Sequence, residues 1–563
     1  MNWKAISAPD PKQVDHLQES LSVPQRVAYL LAQRGIQSFD EAKTFFRPDW
    51  NQLHDPFLMQ DMHLAVERIH HAIETEEKVM IFGDYDVDGT TSVALMFSYL
   101  KDKCASVFPY IPDRYKEGYG ISKKGIEWAK EKGIRLIIAL DCGIKAMDLV
   151  DYAKSLDIDF IICDHHLPGT LLPAAVAVLD PKRSDCDYPF KELCGCGIGF
   201  KLIQALQKYL ALPPADLAPY LDLVATAIAA DIVPIVGENR VLTFLGIEQF
   251  KKDPRLGFQY FIKSLKRPIS VTDLVFVIAP RINAAGRMDK GINAVELLTA
   301  SDPDEIRARS RSIEFFNTER KSTDERITNE ALQQIELNQD KSNASTVVFH
   351  PSWHKGVIGI VASRLIEHYY RPTVVLTQSE DTLSGSVRSV SGFNVYHALE
   401  SCRDHMIQFG GHKYAAGLTL RPDQLKRFKT AFESYVEANI IPEQKEPTLI
   451  YDAKVGFEEL SPKLLRIINQ MAPFGPKNMR PVFVTHGCTD AGGSRAVGED
   501  QIHLKLEVMD PSGLTFQGIG FGLGHHVLTI KKQPPFSILY TLEENHFNGV
   551  KSLQIKIKDL KFE

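Results

Sequence analysis

The stretch GDYDVDGTTS sets three carboxylates, Asp84, Asp86 and Asp88, at alternate positions. Its opening D-x-D-x-D-G is that of an EF-hand calcium loop. The last position of such a loop should be a bidentate Glu, but here it is Leu95, and the preceding KVMIF is β-rich where an EF-hand has a helix. Calcium chemistry of that kind is excluded. In an extended segment, residues two apart project to the same side, roughly 6 to 7 Å from one another. At an effective dielectric of about 20, each neighbouring pair of carboxylates then repels by roughly 2.5 kcal/mol. A bound divalent cation removes that cost.

The same device recurs downstream. RLIIAL runs into Asp141, DFIIC into Asp164, His165 and His166, and LVATAIAA into Asp231. VMIFG, RLIIAL and DFIIC read as parallel strands, whose carboxyl ends gather at one edge where ligands bind. Carboxylates and imidazoles together suit manganese or magnesium better than zinc–thiolate chemistry. A lone Asp after a strand is ordinarily a turn former or helix cap, and an adjacent His pair is ordinarily structural. Four such clusters at corresponding places point instead to a metal site. Cys194 and Cys196 in LCGCG lack a second CxxC or a matched His spacing, so no zinc site is expected there.

The elements that must position these groups follow from periodicity. Residues 1–50 read as a helical segment, with apolar repeats in VPQRVAYLLAQRG and SFDEAKTFF. Over 51–300, short apolar runs come to alternate with helical patterns, the mark of βαβ units and a mostly parallel sheet. The charged stretch 301–340 spaces Ile306, Ile313 and Ile327 in multiples of seven with Arg320 interrupting; it reads as a connector helix or an ordinary surface helix. A second, smaller α/β segment spans 341–440. Strand-like runs separated by Gly, Pro or Asn turns then fill 448–563, which suits an OB-type barrel, with an SH3-like barrel as the alternative.

At 563 residues, 44% hydrophobic and 24% charged, the chain has a globular composition. No long uncharged apolar run occurs, so no membrane association is expected. MNWKAISAPD lacks a signal-peptide core, and eight cysteines are too sparse for a disulfide framework; a cytoplasmic location is expected. The net charge of −6 does not announce a nucleic-acid binder, so any such function must rest on a local basic groove.

DYDVDGTTS, ALDCG, CDHH and AADIVP resemble, in that order, the four motifs of the DHH phosphoesterase superfamily. RINAAGRM, SGSVRS and GGHKYAAG resemble its accessory DHHA1 half. With the barrel, nearly the whole chain resembles the RecJ family of bacterial single-strand-specific exonucleases. The resemblance implies an α/β fold: a parallel-sheet DHH domain and a smaller α/β DHHA1 domain joined by a long helix, plus a C-terminal OB-like β-barrel. It implies two-metal-ion hydrolysis of single-stranded DNA in the 5′ to 3′ direction to 5′-mononucleotides, in repair and recombination, with Mn2+ or Mg2+.

By motif position, Asp86, Asp88, Asp141, His165 and Asp231 match ligands of the two ions, and Asp141 the carboxylate that bridges them. Asp84 matches a ligand or an acceptor behind the ligands. His166 matches a residue that contacts the scissile phosphate, and with Asp84 and Asp88 it makes up the implied catalytic set. Arg114, Arg287, Ser386 and Arg388 resemble a pocket for a terminal 5′-phosphate, for which guanidinium forks and a hydroxyl are apt. Arg281 belongs to that pocket or to a core ion pair. His412 contacts substrate or sits in a tight turn feeding a helix. Phe516, Phe521 and Phe547, with Lys505 and Lys551, could meet bases and phosphates on the barrel, though strand Phe is more often core. The family also implies a monomer working beside a helicase and a single-strand-binding protein. Rival readings are a phosphodiesterase of very short oligonucleotides or cyclic dinucleotides, a structural replication factor that has lost its metal ligands, and a pyrophosphatase.

Overall fold

The computed structural model describes residues 1–338, 340–532, 534–547 and 550–562. Its first half is built on a five-stranded parallel sheet, in the spatial order Ser106–Tyr110, Lys78–Gly83, Leu136–Leu140, Asp159–Cys163, Ala177–Leu179. The central strand Leu136–Leu140 is apolar throughout and wholly buried, as a strand covered on both faces must be. Helices Val87–Leu100 and Gly195–Tyr209 share a core with one face, while Lys123–Lys132 and Met147–Ser155 pack on the other. No helix among the described residues is long and apolar enough to cross a membrane.

The 35-residue helix Pro303–Leu337 leaves this half and enters the second. Asp302 caps it through two backbone amides, and Pro303 occupies its first position. At 1.5 Å per residue it spans about 52 Å. Ile306 and Ile313 join the core of the first half, whereas Ile327, Ala331 and Ile335 pack with Val348, Val357 and Val361 of the second. Arg320 falls where the helix passes from one core to the other, which is why the apolar stripe breaks there. The helix is a connector.

The second half carries a mixed five-stranded sheet, ordered Gln408–Gly411, Ala415–Leu420, Thr382–Arg388, Thr373–Ser379, Thr346–Phe349, in which only the last pair is parallel. FGGHKYAAG forms a hairpin between two of these strands and does not feed a helix.

At the C-terminus, Phe483–Asp490 pairs with Phe536–Phe547, which pairs with Val550–Phe562, then Thr515–Gly520, then His503–Met509, which returns to Phe483–Asp490. Five strands therefore close on themselves, the geometry of an OB-type barrel. The N-terminal segment is no separate unit: Val14, Leu17, Val27, Leu30 and Leu31 share one core with Phe457, Leu464, Phe483 and Tyr540. It also begins as a strand, because Asn2–Ala5 finds a parallel partner in Thr448–Tyr451, far beyond the reach of local periodicity. Arg240 ties three regions together, donating to the carbonyls of Phe45, Met471, Ala472 and Pro473.

Candidate active site

Three strands of the parallel sheet deliver their chemistry at their carboxyl ends. Lys78–Gly83 runs into Asp84, and the chain then turns into a helix: Asp86 is the N-cap of Val87–Leu100, accepting the Gly89 amide at 3.0 Å, and Asp88 lies in the first turn. The three carboxylates thus do not line one side of an extended segment, as alternation alone implies. A strand end, a cap and a helical turn present them instead. Asp141 follows Leu136–Leu140 with a φ of +61°, uncommon for a non-glycine residue, and Asp164, His165 and His166 follow Asp159–Cys163. LVATAIAA is helical, so Asp231 arrives at the end of helix Leu221–Ala230 and not from a strand.

These side chains converge. His165 Nε2 lies 3.2 Å from Asp141 Oδ1, 3.7 Å from Asp231 Oδ2 and 3.9 Å from Asp88 Oδ2. Asp141, His165 and His166 offer ligand atoms within 4.8 Å of one another, and so do Asp88, His165 and Asp231. Asp84 Oδ2, Asp141 Oδ1 and His165 Nδ1 are buried with no hydrogen-bond partner, so the close approach of His165 to Asp141 lies off any hydrogen-bond direction. Burial, reinforced by Asp86, pushes Asp84 up to about 8 and Asp88 up to about 7. Burial and then Asp88 raise Asp231 to about 8 and Asp141 well above the carboxylate range. Burial, followed by His166, lowers His165 to about 3 and keeps its imidazole neutral. Crowded carboxylates with orphaned oxygens beside a neutral imidazole fit hard divalent cations of the Mg2+ or Mn2+ kind.

His166 is held differently. Its Nδ1 is 2.7 Å from Asp164 Oδ1, and that hydrogen bond, outweighing burial, raises the imidazole above its ordinary value. Despite its own burial, Asp164 is held low by His166 and by backbone amides, Ile144 at 2.9 Å and His166 at 3.1 Å. With Nδ1 anchored, Nε2 faces the Tyr119 hydroxyl at 3.4 Å. A protonated, oriented imidazole can donate to an anionic oxygen.

Beside the carboxylates stands a cluster of guanidiniums. Arg114 stacks 3.9 Å over the ring of Tyr85, the residue between Asp84 and Asp86. Burial, then the charges of Arg114 and Arg388, bring Arg287 down to about 10. Arg388 Nη1 donates to Ser386 Oγ at 3.1 Å, both on the strand that pairs with Ala415–Leu420. A Cβ on Gly359, in the first turn of helix Ile358–His368, would lie 2.9 Å from Ser386 Oγ and 3.0 Å from Arg388 Nη2. Among the described residues no carboxylate forms a salt bridge with Arg114, Arg287 or Arg388, and Arg114 Nε is buried without a partner. Unpaired cations beside a helix N-terminus suit a phosphate.

Arg281 is engaged elsewhere: it makes a two-pronged pair with Glu314 at 2.6 and 3.1 Å and donates to the Val277 carbonyl, joining its helix to the connector. His412 sits at the tip of the hairpin whose Ala415 pairs with Arg388; it is exposed and donates its amide to the Ala415 carbonyl. On the barrel, Phe521 is exposed, Phe516 packs edge-on to Phe457, Lys551 pairs with Glu544, and the side chain of Phe547 lies outside the described residues. Sequence reasoning misses three supports of the site. Asp164 orients His166, the Tyr115 hydroxyl donates to the Arg287 carbonyl at 2.5 Å, and Lys182 donates to the His165 carbonyl at 2.5 Å. The tyrosines of PDRYKEGYG, adjoining Arg114, are the available signal.

The first half matches the family model "DHH family, N-terminal domain" over residues 78–228, the second the DHHA1 domain over 341–438, and the barrel the RecJ OB domain over 451–559. A DHH phosphoesterase is the class that this sheet edge and its carboxylate–histidine cluster define. The chain belongs to the RecJ family. It is 37% identical to the single-stranded-DNA-specific exonuclease RecJ of Bacillus subtilis over 99% of this chain and 70% of that protein. It also superposes on Thermus thermophilus RecJ in complex with Mn2+ with a TM-score of 0.86 at 26% identity, covering 100% of this chain and 79% of the other. The Mg2+ complex of that protein gives 0.78 at 25% identity, over 100% and 78% of the two chains.

Proposed function

We propose that this protein is a single-stranded-DNA-specific exonuclease that removes 5′-mononucleotides in the 5′ to 3′ direction, using two Mn2+ or Mg2+ ions. The observation that carries the reading is the abutment of two unlike sites. A carboxylate–imidazole cluster in which Asp84 Oδ2, Asp141 Oδ1 and His165 Nδ1 are buried without hydrogen-bond partners lies next to Tyr85, on which Arg114, free of any carboxylate among the described residues, stacks. A cation cluster that wants a phosphate, fixed beside a site that wants metal, reads a chain end and cuts next to it.

Asp86, Asp88, Asp141, His165 and Asp231 would hold the ions, with Asp84 as a further ligand or the acceptor behind the ligands. When bound, the ions supply Lewis-acid stabilisation of the phosphodiester charge and a nucleophile at neutral pH. The protein's own groups do the rest. His166, protonated and held through Nδ1 by Asp164, donates from Nε2 to a non-bridging oxygen of the scissile phosphate. Arg114, Arg287, Arg388 and Ser386 hold the terminal 5′-phosphate, and His412 approaches the strand from the second half. Because the pocket and the ligands are fixed relative to one another, the cut falls a constant distance from the 5′ end, which yields polarity and mononucleotides together. Arg281 is left out of the pocket, since Glu314 already satisfies it.

A monomer in the cytoplasm, with the strand supplied by a helicase and a single-strand-binding protein, is part of the proposal and rests on the family. Its domain limits are 51–300, 341–440 and 448–563, with 301–340 as connector; residues 1–50 go with the barrel. The test is product analysis of uniformly labelled single-stranded DNA by chromatography. Deoxynucleoside 5′-monophosphates that vanish in Asp88→Ala are expected; 3′-monophosphates, or cleavage confined to di- to pentanucleotides, would overturn the reading.

A further inference from the structure

The LCGCG segment holds none of the proposed metal ligands, yet it touches the metal centre at two points. We propose that Gly195 is a positioning residue that fixes Asp88 and Asp141 relative to each other and thereby sets the affinity for the divalent cations; the inference rests on the metal-centre reading above. Cys194 is the N-cap of helix Gly195–Tyr209, and its thiol accepts the Gly197 amide at 3.4 Å. The next two amides point out of the helix end and onto a single buried carboxylate. Gly195 N donates to Asp88 Oδ2 at 2.6 Å and Cys196 N donates to Asp88 Oδ1 at 2.7 Å.

Each oxygen of Asp88 thus commits one lone pair to the helix and keeps another for a cation. The helix end favours the ionised carboxylate that its neighbours oppose. Asp141 comes from a different strand and meets the same residue from the other side. A Cβ on Gly195 would stand 2.6 Å from Asp141 Cβ, 2.8 Å from its Cα and 2.9 Å from its Oδ1. Asp141 cannot retreat by turning its side chain, because the collision is with its Cα and Cβ, and its amide is tied to the Cys163 carbonyl at 2.8 Å. Any side chain at 195 therefore moves the helix end away from Asp141 and takes both Asp88 hydrogen bonds with it. Loss of such supporting contacts behind a ligand typically weakens metal binding about 10- to 100-fold.

The test is Mn2+ titration, by calorimetry and by the electron-paramagnetic signal of free Mn2+, of the full-length wild type, Gly195→Ala, Cys196→Pro and Cys196→Ala. Melting in EDTA reports folding of each. Proline is compatible with the first helical turn; at 196 it deletes the amide aimed at Asp88 Oδ1 and also constrains Gly195 before it, so it perturbs the same clamp on Asp88. Cys196→Ala keeps that amide. At least ten-fold weaker Mn2+ binding is expected in Gly195→Ala and Cys196→Pro, with wild-type affinity in Cys196→Ala and unchanged binding of a 5′-phosphorylated oligonucleotide in EDTA. Should Gly195→Ala fail to fold, the comparison of Cys196→Pro with Cys196→Ala decides. Wild-type Mn2+ affinity in the first two variants overturns the positioning role while leaving the metal centre intact. Absence of Mn2+ binding in the wild type overturns both.

Discussion

Removing Arg388 should change which DNA ends the protein prefers without changing its chemistry. In the free pocket, burial and the charges of Arg114 and Arg388 draw Arg287 from 12.5 to about 10. At about 1.4 kcal/mol for each tenfold in acidity, that is about 3 kcal/mol of unfavourable charge burial and crowding, which a phosphate dianion would offset on binding. A charge-assisted hydrogen bond contributes about 1.5–3 kcal/mol, or roughly 10- to 150-fold in kcat/KM. Arg388→Ala should therefore lower kcat/KM on 5′-phosphorylated single strands by about 10- to 100-fold, and on 5′-hydroxyl strands by no more than about three-fold. Mn2+ affinity should be untouched. The assay is initial-rate release of mononucleotide from matched substrates differing only at the 5′ end. An equal loss on both ends would mean that Arg388 acts on the fold or the metal centre. No loss on either would mean that the pocket is elsewhere.

The carboxylates give a pH signature. The folded values of Asp88, about 7, and of Asp84 and Asp231, about 8, all lie above the ordinary 3.8 of an unfolded Asp. Protonation of these groups therefore stabilises the metal-free protein fully below about pH 4, and that contribution is lost as pH climbs through 7 and 8. In EDTA the contribution of these groups should make the melting temperature fall between about pH 4 and about pH 8, whereas Mn2+ should bind more tightly over the same range with release of protons; a metal-free melting temperature that rises with pH across that range would contradict this. His166→Ala should lower kcat by about 100-fold or more with Mn2+ affinity nearly unchanged, and a variant defective only in metal binding would refute the role given to its Nε2. Arg281→Ala should cost about 1 kcal/mol of stability or less, because Glu314 keeps access to water once its partner is gone; denaturant titration measures it, and the preference for phosphorylated ends should stay as in the wild type.

Much of the site is legible because its residues follow apolar runs directly. A buried strand that ends in Asp141 or in Asp164-His165-His166 announces both element and edge. What the sequence cannot carry is geometry set by distant partners. GDYDVDG alternates like a strand, yet Asp86 caps a helix, because its carboxylate takes the Gly89 amide and the chain turns at once. LVATAIAA is apolar in the manner of a buried strand but is a helix buried nearly all round, a case in which periodicity is silent. Asn2–Ala5 is a strand only because Thr448–Tyr451 lies alongside. Arg281 and Arg287 stand six residues apart with like credentials, and only the position of Glu314 on the connector separates them.

The most direct test of the account is digestion of a single strand labelled at its 5′ or its 3′ end, with Mn2+, Mg2+ or EDTA and a blunt duplex alongside. Immediate release of a 5′-labelled mononucleotide, with the 3′ label retained in a shortening strand, is predicted with either metal, and no product is predicted in EDTA or from the duplex. Early release of the 3′-labelled mononucleotide, or cleavage that persists in EDTA, would contradict the coupling of an arginine pocket for the 5′ end to a divalent-metal centre.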